Sequence, residues 1–242
     1  IPDIYTRTFT CTGELQTDNG VVSCPSVHGE VNFEKALNNS CNVAFAQIAI
    51  ELGNDKMTLQ ANALGFNRSM TVNRMETAKS TFDLSAANDL DLGWAGIGQY
   101  NTLVNPCHMI TLMGAIANGG QGIVPYTVDR IVSPAKTVTQ RGSAQVAPGI
   151  TLSSATAGKL AQLLRSNVVN NYGDSMFPKL QMCGKTGTAE VGEGKVPHAW
   201  FVGFSMRDDM PYAVVTIIEN GRTGLNRAIP AANKVLQTLA PK

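Results

Sequence analysis

Gly184-Lys185-Thr186-Gly187-Thr188-Ala189-Glu190 is a compact polar insert between two apolar runs, 179–183 before it and 199–204 after it. A lysine and two threonines around a glycine fit a strand edge. The cation stands over extended backbone, and the glycine lets a ligand lie against the main chain. A carboxylate-bearing peptide would find there a charge, two hydroxyls and free amide hydrogens; the plainer reading of the same residues is a turn. The sequence downstream favours the strand. Runs 199–204 and 212–218 read as two further strands around Arg207-Asp208-Asp209-Met210-Pro211, as in an antiparallel hairpin. Residues 228–239 then close the chain as a helix with Ile229, Val235, Leu236 and Leu239 on its apolar side. Sequential strands ending in a covering helix predict an α/β (α+β) fold built on an antiparallel sheet.

Upstream of the insert, residues 154–169 have helical periodicity with Ser153 as a cap, and 170–178 read as a loop. Runs 124–132 and 136–140 read as strands broken by Ser133-Pro134. Asn105-Pro106 starts a helix that buries Ile110, Met113, Ile116 and Ala117 and ends at Asn118-Gly119-Gly120. Residues 57–64 form a helix closing in Gly65-Phe66, and 86–92 a short segment of undecided type. Gly93, Gly96 and Gly98 then space a flexible passage. That passage lacks the third glycine, preceding strand and lysine of a nucleotide site. A helical turn at 33–37 precedes Asn38-Asn39-Ser40-Cys41-Asn42, whose side chains compete for backbone partners. A second helix follows over 43–52, with Ala44, Ile48 and Leu52 on one face and Gly53 as its stop. Ser40 or Asn42 would cap that helix or project into a cleft. Residues 5–13 favour a strand and Asp18-Asn19-Gly20 a turn, beside the central sheet and not in it. The chain thus divides into a mostly helical lobe, 30–120, and a mostly sheet lobe with covering helices, 121–242.

The 242 residues are enough for a sizeable core. A formal charge of +1 with 15% charged residues implies neither a nucleic-acid surface nor an acidic tail. No 18-residue apolar run and no export leader is present in the sequence. The cysteines at 11, 24, 41, 107 and 183 form no Cys-x-x-Cys pair and the histidines at 28, 108 and 198 are dispersed, which argues against a metal. No cofactor is implied. Cys11 and Cys24 flank the first turn and would bridge in an extracellular domain or stand as two buried thiols.

Ser40-Cys41-Asn42 and Lys185-Thr186-Gly187-Thr188 resemble the second and third active-site motifs of the serine penicillin-binding proteins, D,D-transpeptidases that share their fold with the serine β-lactamases. His28-Gly29, Ala36-Leu37, Phe45, 117–120, 199–203 and 218–221 look like the monofunctional, class B transpeptidase domain. The family's first motif, Ser-x-x-Lys, occurs here only as Ser133-Pro134-Ala135-Lys136, where proline argues against a catalytic helix. The resemblance therefore implies an incomplete domain over 1–242, with the nucleophile on an upstream segment or a second chain. It implies acyl transfer from D-Ala-D-Ala stem peptides through an acyl-serine, with β-lactams as inhibitors. Ser40 would relay a proton towards the leaving nitrogen, Asn42 would hold the missing lysine and the substrate amide, and Lys185 would organise the Ser40 hydroxyl. Thr186 and Thr188 would bind the terminal carboxylate, Gly187 would permit close approach, and the Thr188 N–H would form half of an oxyanion hole. Implied too are an upstream transmembrane anchor, an extracytoplasmic location and a glycosyl-polymerising partner. A β-lactamase or β-lactam sensor on the same scaffold, and a non-catalytic cell-wall scaffold, are the alternatives.

Overall fold

A computed structural model describes residues 1–240. The chain opens with β1 (Thr8–Cys11), the hairpin β2 (Glu14–Thr17) and β3 (Gly20–Ser23), and β4 (Gly29–Asn32), which returns to pair antiparallel with β1. These strands stand apart from the main sheet, as their position in the sequence predicts. Next come α1 (Phe33–Asn38), α2 (Asn42–Ala63), the short hairpin β5 (Thr71–Val72) and β6 (Met75–Glu76), α3 (Asp89–Gly96) and α4 (Pro106–Ala117). β7 (Gln121–Val124), β8 (Arg130–Val132), β9 (Val138–Arg141) and β10 (Gln145–Thr151) precede α5 (Ser154–Asn167). The chain ends with β11 (Met182–Ala189), β12 (His198–Ser205), β13 (Ala213–Ile218) and α6 (Ile229–Leu239).

The caps are those the sequence advertises. Asn105 Oδ1 accepts from the Cys107 N–H at 2.7 Å ahead of Pro106, and Ser153 Oγ accepts from the Thr156 N–H at 3.1 Å. Asn88 and Asp91 form a capping box on α3. Other expectations change. The run 124–132 is strand only at its ends, and β7 pairs instead with β10, a strand the sequence reading did not anticipate. Gly53 breaks helical geometry (φ 76°, ψ 166°), yet the helix resumes directly beyond it. Gly93 and Gly96 are helical, not a flexible passage. A Cβ on Gly96 would lie 2.4 Å from the Ala49 Cβ, so these glycines let α3 approach α2 closely.

The sheet runs β11-β12-β13, all antiparallel, with β11 at one edge. Its alternation builds two cores. Met182, Ala199 and Phe201 pack with Ile229, Ala232 and Leu236 of α6, and Phe177 stacks on Phe201 at 5.0 Å. Cys183 and Phe204 point the other way, onto Met113 and Ile116 of α4 and Leu164 of α5. Helices on both faces leave the β11 edge free, with α5 packed along the strand and Lys185 reaching the turn between α1 and α2. Among the described residues no helix is long and apolar enough to cross a membrane.

Candidate active site

The end of α1 sets the first half of the site. The Ser40 N–H donates to Leu37 O at 3.1 Å and the Cys41 N–H to Ala36 O at 2.9 Å, the paired bonds of a Schellman turn. The position that normally takes glycine is Ser40, held at φ 50°. Ser40 does not cap α2; the residue at that cap is Cys41, which makes no side-chain bond there.

The second half is β11. Lys185 Nζ donates to Ser40 Oγ at 2.5 Å and to Thr186 O at 3.2 Å, so the two motifs meet across 145 residues. Strand alternation sends the Thr186 side chain to the opposite face. The Thr186 backbone N–H, in the plane of the sheet, donates to the Tyr172 hydroxyl at 2.8 Å, and that hydroxyl also lies 2.9 Å from Thr186 Oγ1. The Thr186 N–H therefore points to the open edge of β11, and the alternation of an antiparallel strand turns the Thr188 N–H the same way. Gln99 Nε2 donates to Thr188 O at 3.4 Å from across the edge. Asn42 Nδ2 donates to Ser23 O at 2.9 Å, towards β3. Gly187 lies opposite Trp200, whose Cβ would be 3.3 Å from an added Cβ. The tighter glycine is Gly224, where a Cβ would fall 2.2 Å from Trp200 O and 2.8 Å from the Thr186 Cβ.

The supporting shell joins α1, α5 and β11. Buried Asn167 donates to Gly184 O at 2.6 Å; Asn171 donates to Asn38 O at 2.5 Å; Asn38 Nδ2 donates to Ser166 Oγ at 3.3 Å. Beyond Asn167 the helix widens into a π-type turn, Val168–Tyr172, which delivers Tyr172 to β11. Arg165 pins this turn from below, donating to Asp174 Oδ1 at 2.5 Å and to Met182 O at 3.0 Å, and its guanidinium holds the Asp174 carboxyl below the usual range. Burial pushes the Cys183 thiol up to about 12, so this cysteine is packing material. The sequence reading placed 170–178 in a loop and missed Tyr172, Asn167 and Asn38. The available signal was three asparagines, 167, 170 and 171, at the end of an apolar helix.

Ser133-Pro134-Ala135-Lys136 closes the β8–β9 hairpin, with the Lys136 N–H donating to Ser133 O at 2.9 Å, and has no helical geometry.

Of the two states open to Cys11 and Cys24, they take the thiol one, with Cys11 buried and Cys24 half-buried. Cys11 and Cys24 form no disulfide; all five cysteines are free thiols. Cys11, Cys24, Cys41 and His28, dispersed in sequence, converge with their Sγ and ring nitrogen atoms within 4.8 Å of one another. Sequence distance was the reason for setting a metal aside, and strand pairing cancels it: β1 and β4 bring Cys11 opposite Gly29, beside His28. His108 bridges Leu64 O and Ser80 Oγ, each at 2.7 Å.

A family model described as the penicillin binding protein transpeptidase domain matches residues 6–239. Peptidoglycan D,D-transpeptidase PbpA of Mycobacterium tuberculosis is 29% identical over 220 residues, covering 86% of this chain and 43% of the relative. Stage V sporulation protein D of Bacillus subtilis is 24% identical over 247 residues, covering 97% and 38%. Among solved structures, penicillin-binding protein A from M. tuberculosis in a ceftriaxone acyl-enzyme complex superposes with a TM-score of 0.88 at 25% identity, covering 97% of this chain and 56% of that one. The D,D-transpeptidase domain of a peptidoglycan glycosyltransferase from Eggerthella lenta gives 0.85 at 27% identity, covering 98% and 61%. The chain spans less than half the length of these two curated relatives.

Proposed function

The chain belongs to the penicillin binding protein transpeptidase domain family, and on that footing we propose that it acts in a peptidoglycan D,D-transpeptidase. The reaction is acyl transfer from D-Ala-D-Ala stem peptides through an acyl-serine, and β-lactams occupy the same cleft. The observation that carries this is the Lys185 to Ser40 hydrogen bond, which joins the two family motifs at one point.

The attacking serine and its lysine come from a Ser-x-x-Lys segment outside these residues. Once that serine attacks the peptide carbonyl, its proton must reach the departing D-alanine nitrogen. Ser40, accepting from Lys185, has its own hydroxyl hydrogen free to pass on. Lys185 supplies positive charge beside developing negative charge. The Thr188 N–H, on the open edge of β11, donates to the carbonyl oxygen as it becomes an oxyanion. Thr186 and Thr188 receive the terminal carboxylate, Gly187 keeps the strand surface clear, and Asn42, whose amide donates to Ser23 O in this structure, turns from that bond to hold the incoming lysine and the substrate amide. The turn between α1 and α2 and the edge of β11 form the two sides of the cleft. The site works on the extracytoplasmic face, anchored by an upstream transmembrane helix and working beside a glycosyl-polymerising enzyme.

Incubating the protein that carries this chain together with its Ser-x-x-Lys segment with a fluorescent penicillin tests the reading. A stable covalent label, lost in Lys185→Ala, is the expected outcome. Label that appears and is rapidly hydrolysed would make it a β-lactamase, and absence of label would make it a non-catalytic scaffold.

A further inference from the structure

Cys11 ends β1, Cys24 follows β3, His28 precedes β4 and Cys41 sits between α1 and α2. Cys11 and Cys41 are fully buried, while Cys24 and His28 are partly exposed. The four ligand atoms lie within 4.8 Å of one another, with His28 Nδ1 at 3.6 Å from Cys11 Sγ and 3.4 Å from Cys24 Sγ. A tetrahedral zinc ion bound at about 2.3 Å to sulfur and about 2.0–2.1 Å to nitrogen has S···N edges of about 3.6 Å. The two S···N separations match that edge, and the remaining ligand atoms lie close enough to close around one ion. As free thiols, Cys11 has Ser26 O within 3.7 Å of its Sγ and Cys24 can donate to Nδ1, so the metal-free cluster is held by weak thiol hydrogen bonds. A disulfide would consume two of the three sulfurs and leave the third with the imidazole, and none is formed.

We propose that Cys11, Cys24, His28 and Cys41 bind a zinc ion as a closed, four-coordinate structural site that ties the β1–β4 unit to the turn carrying Ser40. Three cysteines bind as thiolates, releasing their protons to solvent, and the neutral imidazole binds through Nδ1, leaving no position for water. Three thiolates and a divalent cation give the centre one net negative charge. Cys41 is the residue between Ser40 and Asn42, so the ion fixes the backbone from which both side chains project. The inference rests on these four side chains and needs nothing from the transpeptidase reading.

The test is elemental analysis of protein purified without chelator, followed by chelation and reconstitution with cobalt(II). The expected result is about one zinc per chain, a melting temperature that falls on chelation and recovers with zinc alone, and a cobalt form with thiolate-to-metal charge transfer and intense tetrahedral d–d bands. His28→Gln and Cys24→Ser, both at partly exposed positions, lose most of the bound zinc while keeping their far-ultraviolet circular dichroism. If either variant fails to fold, the cobalt spectrum of the unaltered protein decides alone. Strongly substoichiometric zinc together with no charge-transfer band in the reduced protein overturns the proposal. So does full zinc retention by both variants, or a Cys11–Cys24 disulfide found by mass spectrometry in freshly isolated protein.

Discussion

The side-chain amide of Asn167, wholly buried at the end of α5, donates to the carbonyl of Gly184 at 2.6 Å, one residue before Lys185. The bond fixes the β11 edge against α5 and so sets where Lys185 starts. Replacing Asn167 by Ala leaves a buried carbonyl without a partner, and we expect a loss of about 1–3 kcal/mol in denaturant unfolding. Unchanged stability would show that water or a neighbour replaces the bond.

Ser40 occupies the glycine position of a Schellman turn at φ 50°. Ser40→Gly relieves left-handed strain and loses a little to the freer unfolded chain, for a net gain of about 0.5–1 kcal/mol. Ser40→Ala keeps the Cβ and the strain and gains nothing. Equal stability of the two variants in urea titrations would refute the strain argument. Both variants should lose penicillin acylation, because both lack the hydroxyl.

Lys185→Ala removes the only group seen donating to Ser40 Oγ among the described residues. The acylation rate constant for a fluorescent penicillin should fall by about 100- to 10,000-fold, with little change in melting temperature because the side chain is only half-buried. A fall below threefold would remove Lys185 from the machinery.

Tyr172 accepts the Thr186 N–H and can donate to Thr186 Oγ1, which leaves the threonine hydrogen free for a carboxylate. Tyr172→Phe should therefore weaken binding of carboxylate-bearing β-lactams by about tenfold, the worth of one neutral hydrogen bond. The loss should fall in the pre-acylation binding constant and spare the first-order acylation step. The reverse split would make Tyr172 a purely structural support for β11.

His108 is buried against the Phe66 ring, with Nε2–H donating to Leu64 O and Nδ1 facing Ser80 Oγ. Burial lowers its pKa below the ordinary value, outweighing the opposite pull of the Leu64 carbonyl. The unfolded state thus takes up the proton more readily. Its stabilising contribution is complete above the ordinary histidine pKa and is lost as pH falls below it towards the folded value. Melting temperature should drop between about pH 7.5 and about pH 5.5, and His108→Gln should flatten that part of the profile. A parallel profile in the variant would exclude His108 as the source.

Much of this fold is readable from local pattern. The strand alternation of 182–189, 198–205 and 213–218, the Asn105-Pro106 and Ser153 caps and the helical faces of Ala44 and Ile48 are all short-range signals, and each element stands close to where its residues predict. The passage around Gly93 and Gly96 departs from expectation because glycine has two opposite uses. Its backbone freedom suggests a flexible passage, whereas here its missing side chain lets α3 lie against Ala49 and Phe45, a partner more than forty positions away along the chain.

From the sequence by itself came the antiparallel sheet, the covering helices and the two polar motifs, because strand and helix periods are written in neighbouring residues. The family resemblance already implied that Lys185 reaches the Ser40 hydroxyl; tertiary structure alone decided that Tyr172 engages Thr186 and that three scattered cysteines and a histidine share one small volume. Those relationships join residues whose separation along the chain carries no signal. They exist only once the apolar faces of α1, α5 and β11 have packed and set which side chains share a boundary.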